Sequence, residues 1–147
     1  MLMKKILLMF VMMLMTFSGY AQKKGDYLAC TGNNVNVRTG PGLKYRVQTH
    51  YGNQKIQLMK GDGVGVGYEE CEHETGNCVI EYLGVKKNGF MKIGFYGEGV
   101  NVEGWVSAQY LKKVCPWCEG YPETYDDCDS ENPRLLRVCK KCHGRGY

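Results

Sequence analysis

The chain has 147 residues, with 19 lysines and arginines against 15 aspartates and glutamates, and a formal net charge of +4. This length excludes large catalytic folds such as the barrel of eight βα units. The charge is too small to indicate nucleic-acid binding, and Lys4 and Lys5 lie in a segment that we expect to be removed. Eight cysteines in so short a chain indicate disulfides, a metal site or both.

The first 21 residues have the organisation of a secretory signal. Lys4 and Lys5 precede an apolar run over residues 6–15, and small residues lead to a cleavage point after Ala21. The run is shorter than the about 20 apolar residues of a membrane-spanning helix. We therefore expect a mature chain that starts at Gln22, has no membrane span and is exported to the periplasm, cell surface or medium. In such an oxidising compartment disulfides persist.

Short apolar alternations separated by glycine and asparagine fill the middle of the chain, and no long stretch there has a helical period. Many short strands with frequent turns predict a mostly β fold, and about 90 residues fit a small, partly open barrel. The predicted strands include residues 35–38, 45–47, 56–58, 79–82, 90–93 and 105–106.

Two motifs bracket this region. Asn-Val-Arg-Thr-Gly-Pro-Gly occupies positions 36–42, and Gly-Trp-Val-Ser-Ala-Gln-Tyr-Leu occupies positions 104–111. They resemble the opening and closing motifs of bacterial SH3-like domains, and the resemblance covers residues 26–114. It implies an SH3-like barrel whose Gly-Trp-Val strand leads into a one-turn helix. Phe90 stands where the family often has tryptophan, and an insertion over about residues 60–88 departs from the family pattern.

Several residues of the two motifs have expected structural roles. Val35 and Val37 alternate with polar residues and should face the core. Gly40 should permit a backbone conformation that a larger residue resists. Trp105 should supply a large buried side chain.

Four cysteines outside the tail motifs are candidates for disulfides. Cys71 and Cys78 flank a polar segment with a glycine, which predicts a hairpin closed by a Cys71–Cys78 disulfide. A Cys30–Cys128 disulfide would then tie the tail to the first strand. Three pairings of these four cysteines are possible, and this one is favoured. The acidic residues around His73 are read as a solvated hairpin tip in preference to a cation site.

Residues 115–147 differ in composition and form a separate Cys-rich module, because they hold too few large apolar side chains for a core of their own. Two Cys-x-x-Cys pairs with twenty residues between them have the spacing of a four-thiolate zinc site. Residues 139–146 fit the Cys-x-x-Cys-x-Gly-x-Gly repeat of the zinc region of DnaJ-type chaperones, and residues 115–120 fit its first six positions. The resemblance implies one zinc site, with the ligands Cys115, Cys118, Cys139 and Cys142.

Two alternatives for the tail stay open. Disulfides could replace zinc, because the expected compartment is oxidising. Cys-Pro-Trp-Cys at positions 115–118 is also similar to thioredoxin-like active sites. Those motifs lie between the strand and helix of a βαβ unit, and the sequence predicts no such unit here.

The SH3-like resemblance implies a non-catalytic binding module of the cell envelope that recognises cell-wall peptide or an envelope protein, although fold alone does not fix function. A zinc-dependent protein-interaction or chaperone-like factor is the alternative. No nucleophile elbow or His-Glu-x-x-His motif is present, so an enzyme is not predicted. We expect exposed aromatic side chains to form the binding surface, namely Tyr45, Tyr82, Tyr96 and Tyr110.

Overall fold

The computed structural model describes residues 21–65, 67–68, 78–97, 99–125, 131–132 and 134–147. The expected signal segment lies outside these residues apart from Ala21. In the part of the chain that is described, no helix has the length and apolar character needed to cross a membrane.

The predicted mostly β fold is confirmed, because strands dominate the described residues and the helical structure among them is one short 3₁₀ turn. That turn, Ala108–Tyr110, directly follows the Gly-Trp-Val strand, as the closing motif predicts. The strands are β1 (Tyr27–Cys30), β2 (Val35–Asn36), β3 (Thr49–His50), β4 (Gln54–Lys55), β5 (Gln57–Leu58), β6 (Gly67–Tyr68), β7 (Val79–Lys87), β8 (Phe90–Gly97), β9 (Val100–Ser107), β10 (Leu111–Lys113), β11 (Glu123–Tyr125) and β12 (Leu135–Val138).

Five antiparallel strands in the order β10-β1-β7-β8-β9 form the main sheet. Its buried face holds the core, in which Leu28, Ile80, Met91 and Ile93 have no exposed surface. Strand β7 lies at the centre of this sheet although it falls in the region predicted as an insertion. That region therefore supplies a core strand in addition to surface structure.

The sheets are open and do not close into a barrel. Strands β2 and β5 pair in a two-stranded sheet, as do β3 and β4, and each of these strands has two residues. A bridge between Arg38 and Trp105 links the first motif to the edge strand β9, with N–H to oxygen distances of 2.9 and 2.8 Å. Beyond this bridge no ladder continues among the described residues, so the main sheet keeps a separate edge.

The first motif packs largely as its sequence predicts. Val35 and Val37 are 6% and 0% exposed, which confirms that both face the core. Gly40 has a different role from the one expected, since its backbone is not in the left-handed region. A Cβ at Gly40 would overlap the Tyr45 ring, so this position needs glycine to leave space for the ring.

The expectation that Trp105 is a core residue is wrong. Trp105 is half-buried, whereas its neighbours Gly104 and Val106 are buried. Successive side chains of a strand point to opposite faces, so the burial of Val106 places Trp105 on the other face of β9. Gly104 is needed on the core side, because a Cβ there would overlap Val37.

We predict that Gly104→Ala destabilises the fold by about 1–3 kcal/mol, because the added methyl group overlaps the fully buried Val37 side chain. The free energy of unfolding in urea measures this effect. Asn101→Ala, at an exposed position of the same strand, is the matched control and should change the free energy by less than about 0.5 kcal/mol. Equal changes in the free energy of unfolding for the two variants would contradict the close packing of Gly104 against Val37.

Candidate metal centre

Two Cys-x-x-Cys turns meet at the end of the main sheet. Knuckle 1 (residues 115–120) begins two residues after β10, and knuckle 2 (residues 139–144) begins directly after β12. Strands β11 and β12 are antiparallel, with Glu123 opposite Val138. Because the two strands run in opposite directions, the end of β12 lies beside the start of β11. Knuckle 2, which follows β12, therefore lies beside knuckle 1, which precedes β11.

The four predicted ligands converge. The sulfur atoms of Cys115, Cys118, Cys139 and Cys142 all lie within 4.8 Å of one another, and this is the group able to hold a metal ion among the described residues. Cys118 Sγ and Cys142 Sγ are 3.8 Å apart. A tetrahedral site with metal–sulfur distances of about 2.3 Å has sulfur–sulfur edges of about 3.8 Å, so the sulfurs stand at a spacing that fits one ion.

The disulfide alternative for the tail is not found, since all four of these cysteines are thiols in the structure. The separation of 3.8 Å between Cys118 Sγ and Cys142 Sγ is far from the about 2.05 Å of a disulfide bond. The donor set is thus four sulfurs around a shared centre.

The two knuckles have the same backbone conformation. The residue after the second cysteine has a positive φ in both, 50° at Glu119 and 52° at His143. The next residue is a glycine with φ of 90° at Gly120 and 77° at Gly144. Glycine adopts this region without the steric cost that side chains impose, which explains the Cys-x-x-Cys-x-Gly pattern of both segments.

Hydrogen bonds from backbone N–H groups stabilise each knuckle. The N–H groups of Tyr121 and Arg145 donate to the carbonyls of Cys118 and Cys142, at 2.7 and 3.1 Å. Gly146 N–H donates to Cys142 Sγ at 3.3 Å.

Two further contacts connect the knuckles to each other. Cys115 N–H donates to the carbonyl of Gly146 at 2.8 Å, which links the start of knuckle 1 to the segment after knuckle 2. Lys141 Nζ lies 4.9 Å from the centre of the Trp117 ring, a cation–π contact between the middle residues of the two turns.

The thiol groups differ in acidity. The backbone N–H of Cys142 hydrogen-bonds to the sulfur of Cys139 and, against some desolvation and with help from the Lys141 N–H, lowers the pKa of Cys139 to about 7. Desolvation by burial raises the pKa of Cys118, and its hydrogen bonds with the Cys115 and Cys142 thiols raise that pKa further. A bound cation would remove this mutual penalty, because it favours every thiolate at once.

The Cys-rich tail also packs against part of the predicted insertion. Strand β6 pairs in parallel with β11 and so joins the tail sheet β12-β11-β6. Gly65 N–H donates to the carbonyl of Gly120 at 2.8 Å. A Cβ at Gly146 would come within 2.7 Å of Val64, so the loop before β6 packs closely on the tail.

The predicted Cys30–Cys128 and Cys71–Cys78 disulfides each include a cysteine outside the described residues, Cys128 and Cys71, so both stay predictions. Cys30 is a fully buried thiol that donates to the carbonyl of Gly32 at 3.3 Å. Cys78 is likewise a buried thiol, directly before β7.

The four tyrosines expected at a binding surface fall into different environments. Tyr82 is 7% exposed and belongs to the core cluster, so its assignment to the surface is wrong. It lies on the same face of β7 as the fully buried Ile80, two residues earlier, and this face covers the core. Tyr45 and Tyr110 are 36% and 38% exposed, and Tyr96 is half-buried with its hydroxyl over Gly94. No ring contact joins these side chains in the described part of the chain.

A cleft of about 700 Å³ between the main sheet and knuckle 1 was not predicted from the sequence. It forms where the start of β1, the start of β7 and the end of β10 face the first Cys-x-x-Cys turn. Only the tertiary arrangement brings these segments together, and no local motif marks them. The described residues that line it are Gly25, Asp26, Tyr27, Gly63, Gly65, Cys78, Val79, Lys113, Val114, Cys115, Pro116, Glu119, Gly120 and Tyr121.

Comparison with known proteins gives no match: no protein-family model, no curated protein and no solved structure matches this chain. The resemblances to SH3-like domains and to the DnaJ-type repeat therefore rest on the motifs alone. What the geometry itself establishes is a mostly β fold with a four-cysteine cluster that can hold a metal ion.

We predict that the reduced protein binds one cobalt(II) ion per chain with the absorption spectrum of a tetrahedral tetrathiolate, because four sulfurs already surround one point. Cys118→Ser should abolish that spectrum. Cys30→Ser is the matched control, since a hydroxyl there can keep the bond to the Gly32 carbonyl, and it should leave the spectrum and the stoichiometry unchanged. Loss of the spectrum in both variants, or in neither, would contradict a site at this cluster.

We predict that metal affinity falls as the pH falls. Only thiolates bind the ion, and protons compete for them. Protons compete with the metal less for Cys139, whose pKa is about 7, than for Cys118. The pKa of Cys118 is raised, so this thiol is protonated throughout the neutral range when no metal is bound. Lowering the pH from 8 to 6 should therefore weaken cobalt binding by at least about tenfold, as measured by competition with a chelator of known proton affinity. An affinity independent of pH would show that the ligands are not thiols.

Proposed function

We propose that the protein is an exported, non-catalytic binding module whose C-terminal tail is folded around one zinc ion and which recognises cell-wall peptide or an envelope protein. The convergence of Cys115, Cys118, Cys139 and Cys142 carries the metal part of this proposal. The signal-like N-terminus and the two SH3-like motifs support the rest.

Zinc is the ion that the donor set favours. Tetrahedral sites of four sulfurs hold zinc or iron, and structural zinc sites commonly have four cysteine ligands. Such a site leaves no position for a substrate or a reactive water, so its contribution is to folding. The tail has few large apolar side chains of its own, and metal binding can supply the missing folding free energy.

The exposed aromatic side chains support a binding role. Tyr45 and Tyr110 are partly exposed, one on the loop of the opening motif and the other on the 3₁₀ turn of the closing motif. Lys44 Nζ lies 5.5 Å from the centre of the Tyr45 ring and adds a cation at the same place. Tyrosines with one apolar and one polar end are frequent in recognition surfaces.

The metal assignment is tested by elemental analysis of the protein purified from its native compartment without added metal. One zinc per chain supports the proposal. One iron per chain would instead indicate an electron-transfer site, and no metal with four oxidised cysteines would indicate a disulfide-held tail.

We predict that the mature protein is retained on purified cell-wall material and that the double variant Tyr45→Ala/Tyr110→Ala binds it about 30-fold more weakly, if each ring contributes about 1 kcal/mol. Sedimentation of the bound protein measures retention. Tyr51→Ala, at a tyrosine that is 78% exposed and outside the proposed surface, is the control and should bind normally.

Absence of retention by the unaltered, zinc-loaded protein at low salt would remove the cell-wall ligand and leave an envelope protein as the partner. Retention that is lost on chelation but unaffected by the tyrosine substitutions would move the binding surface to the tail. That result would favour the zinc-dependent interaction factor over the SH3-like surface.

A further inference from the structure

The cleft beside knuckle 1 has the dimensions of a ligand site. Its volume of about 700 Å³ lies within the range of about 300–1,000 Å³ that is usual for small-ligand pockets. One wall comes from the main sheet, with Tyr27 and Lys113, and the other comes from knuckle 1, with Pro116 and Glu119. Pockets form preferentially between two such structural units.

The charges of the cleft are unequal. Lys113 is the one cation among its described lining residues, and its Nζ is engaged by Asp26 Oδ1 at 2.9 Å. The other oxygen of Asp26 accepts the N–H of Lys23 at 2.7 Å. Glu119 is the second carboxylate, is exposed and has no ion pair among the described residues. The unbalanced charge in the cleft is therefore the negative charge of Glu119.

The metal centre adds to this negative field. Cys115, one of the four proposed ligands, lines the cleft directly. Four thiolates outweigh the two charges of a zinc ion, so the loaded centre carries net negative charge. Two nearby cations have partners outside the cleft lining, since Lys141 covers Trp117 and Arg145, directly after knuckle 2, donates to the carbonyl of Cys142 at 3.1 Å.

Aromatic surface lies beside this charge. Tyr27 is 58% exposed at the cleft although it belongs to a strand whose other residues are buried. Tyr121 lines the opposite wall. The face of an aromatic ring attracts cations, and a carboxylate next to such rings strengthens the attraction.

Glycines line the rest of the cleft. Gly25, Gly63, Gly65 and Gly120 add no side chains to it, which keeps the cleft open. Their main-chain groups contribute to the walls, where Gly25 N–H donates to the carbonyl of Tyr82 at 2.9 Å and Gly65 N–H donates to the carbonyl of Gly120 at 2.8 Å. The volume also exceeds what a single ammonium group needs, which leaves space for the chain that carries it.

We propose that this cleft binds a short peptide through a lysine-type cation held between Glu119 and Tyr27. The site is separate from the tyrosines of the proposed cell-wall surface, and it rests on the proposed function only through the zinc that shapes knuckle 1. Because knuckle 1 forms one wall, metal loading and peptide binding are linked, and each raises the affinity for the other.

The test uses the mature chain, residues 22–147, loaded with zinc and titrated by calorimetry with the peptide acetyl-Ala-Lys-Ala-amide. Acetyl-Ala-norleucine-Ala-amide, which has the same length of side chain without the charge, is the matched ligand. We expect the lysine peptide to bind at least tenfold more tightly. Removal of zinc by a chelator should abolish its binding.

Two substitutions locate the site. Glu119→Gln removes the unpaired charge at an exposed position, and Tyr27→Leu removes the ring while keeping an apolar side chain. Each should weaken binding of the lysine peptide at least fivefold with one zinc still bound per chain. Glu103→Gln, which removes an exposed carboxylate paired with Lys92 on the main sheet, is the control and should bind the peptide normally.

Equal affinity for the two peptides, binding unaffected by Glu119→Gln, or no binding at millimolar peptide would each overturn the cleft proposal. Failure of the proposed function is read from different measurements, namely the zinc content and the cell-wall retention of Tyr45→Ala/Tyr110→Ala. A protein that holds one zinc and binds cell wall through those tyrosines, yet ignores the lysine peptide, would lose only the cleft.

Discussion

Knuckle 1 begins two residues after the edge strand β10, so the main sheet determines where the first two of the four clustered sulfurs lie. The hairpin β11–β12 then brings the other two sulfurs to the same point. This convergence constrains everything beyond Val114, because the tail lacks the apolar residues for an independent core. It also extends to the loop before β6, since Gly65 bonds to Gly120. A single ion would therefore order three segments that are distant in the sequence.

The main sheet has a different source of stability. Its core side chains come from β1, β2, β5, β7, β8, β9 and β10 together with Val37, Ile56 and Cys78, and none of them belongs to the knuckles. The molecule thus combines a hydrophobic unit with a tail that is built around a four-cysteine cluster able to hold a metal ion, and the two meet at Val114 and Cys115, both buried. The cleft lies along this meeting line. The ligand affinity of a cleft with one wall from the main sheet and one from knuckle 1 would depend on metal binding, whereas the affinity of a pocket within the sheet would not.

The closing motif shows which properties of strand β9 follow from its sequence. Gly104, Trp105 and Val106 form an edge strand followed by a 3₁₀ turn, as the sequence predicts. Which face of that strand is buried depends on the close approach of Val37, which leaves no room for a side chain at Gly104. The burial of Tyr82 also depends on which face of its strand packs against the core. Its sequence surroundings do not show which face of β7 is buried, and the packing of that face makes Tyr82, like Ile80, a core residue.

The sequence by itself determined the mostly β class, the inward faces of Val35 and Val37, and the four cysteines of the candidate metal centre. These follow from local rules: alternation in a strand, and a Cys-x-x-Cys-x-Gly turn whose glycine takes a positive φ. The tertiary structure alone decided that the sheets stay open, that Cys30 is enclosed in the core and that a cleft forms beside knuckle 1. Each of these depends on which distant segments pack together, and that choice is made by the summed burial of the whole chain, which no short motif encodes.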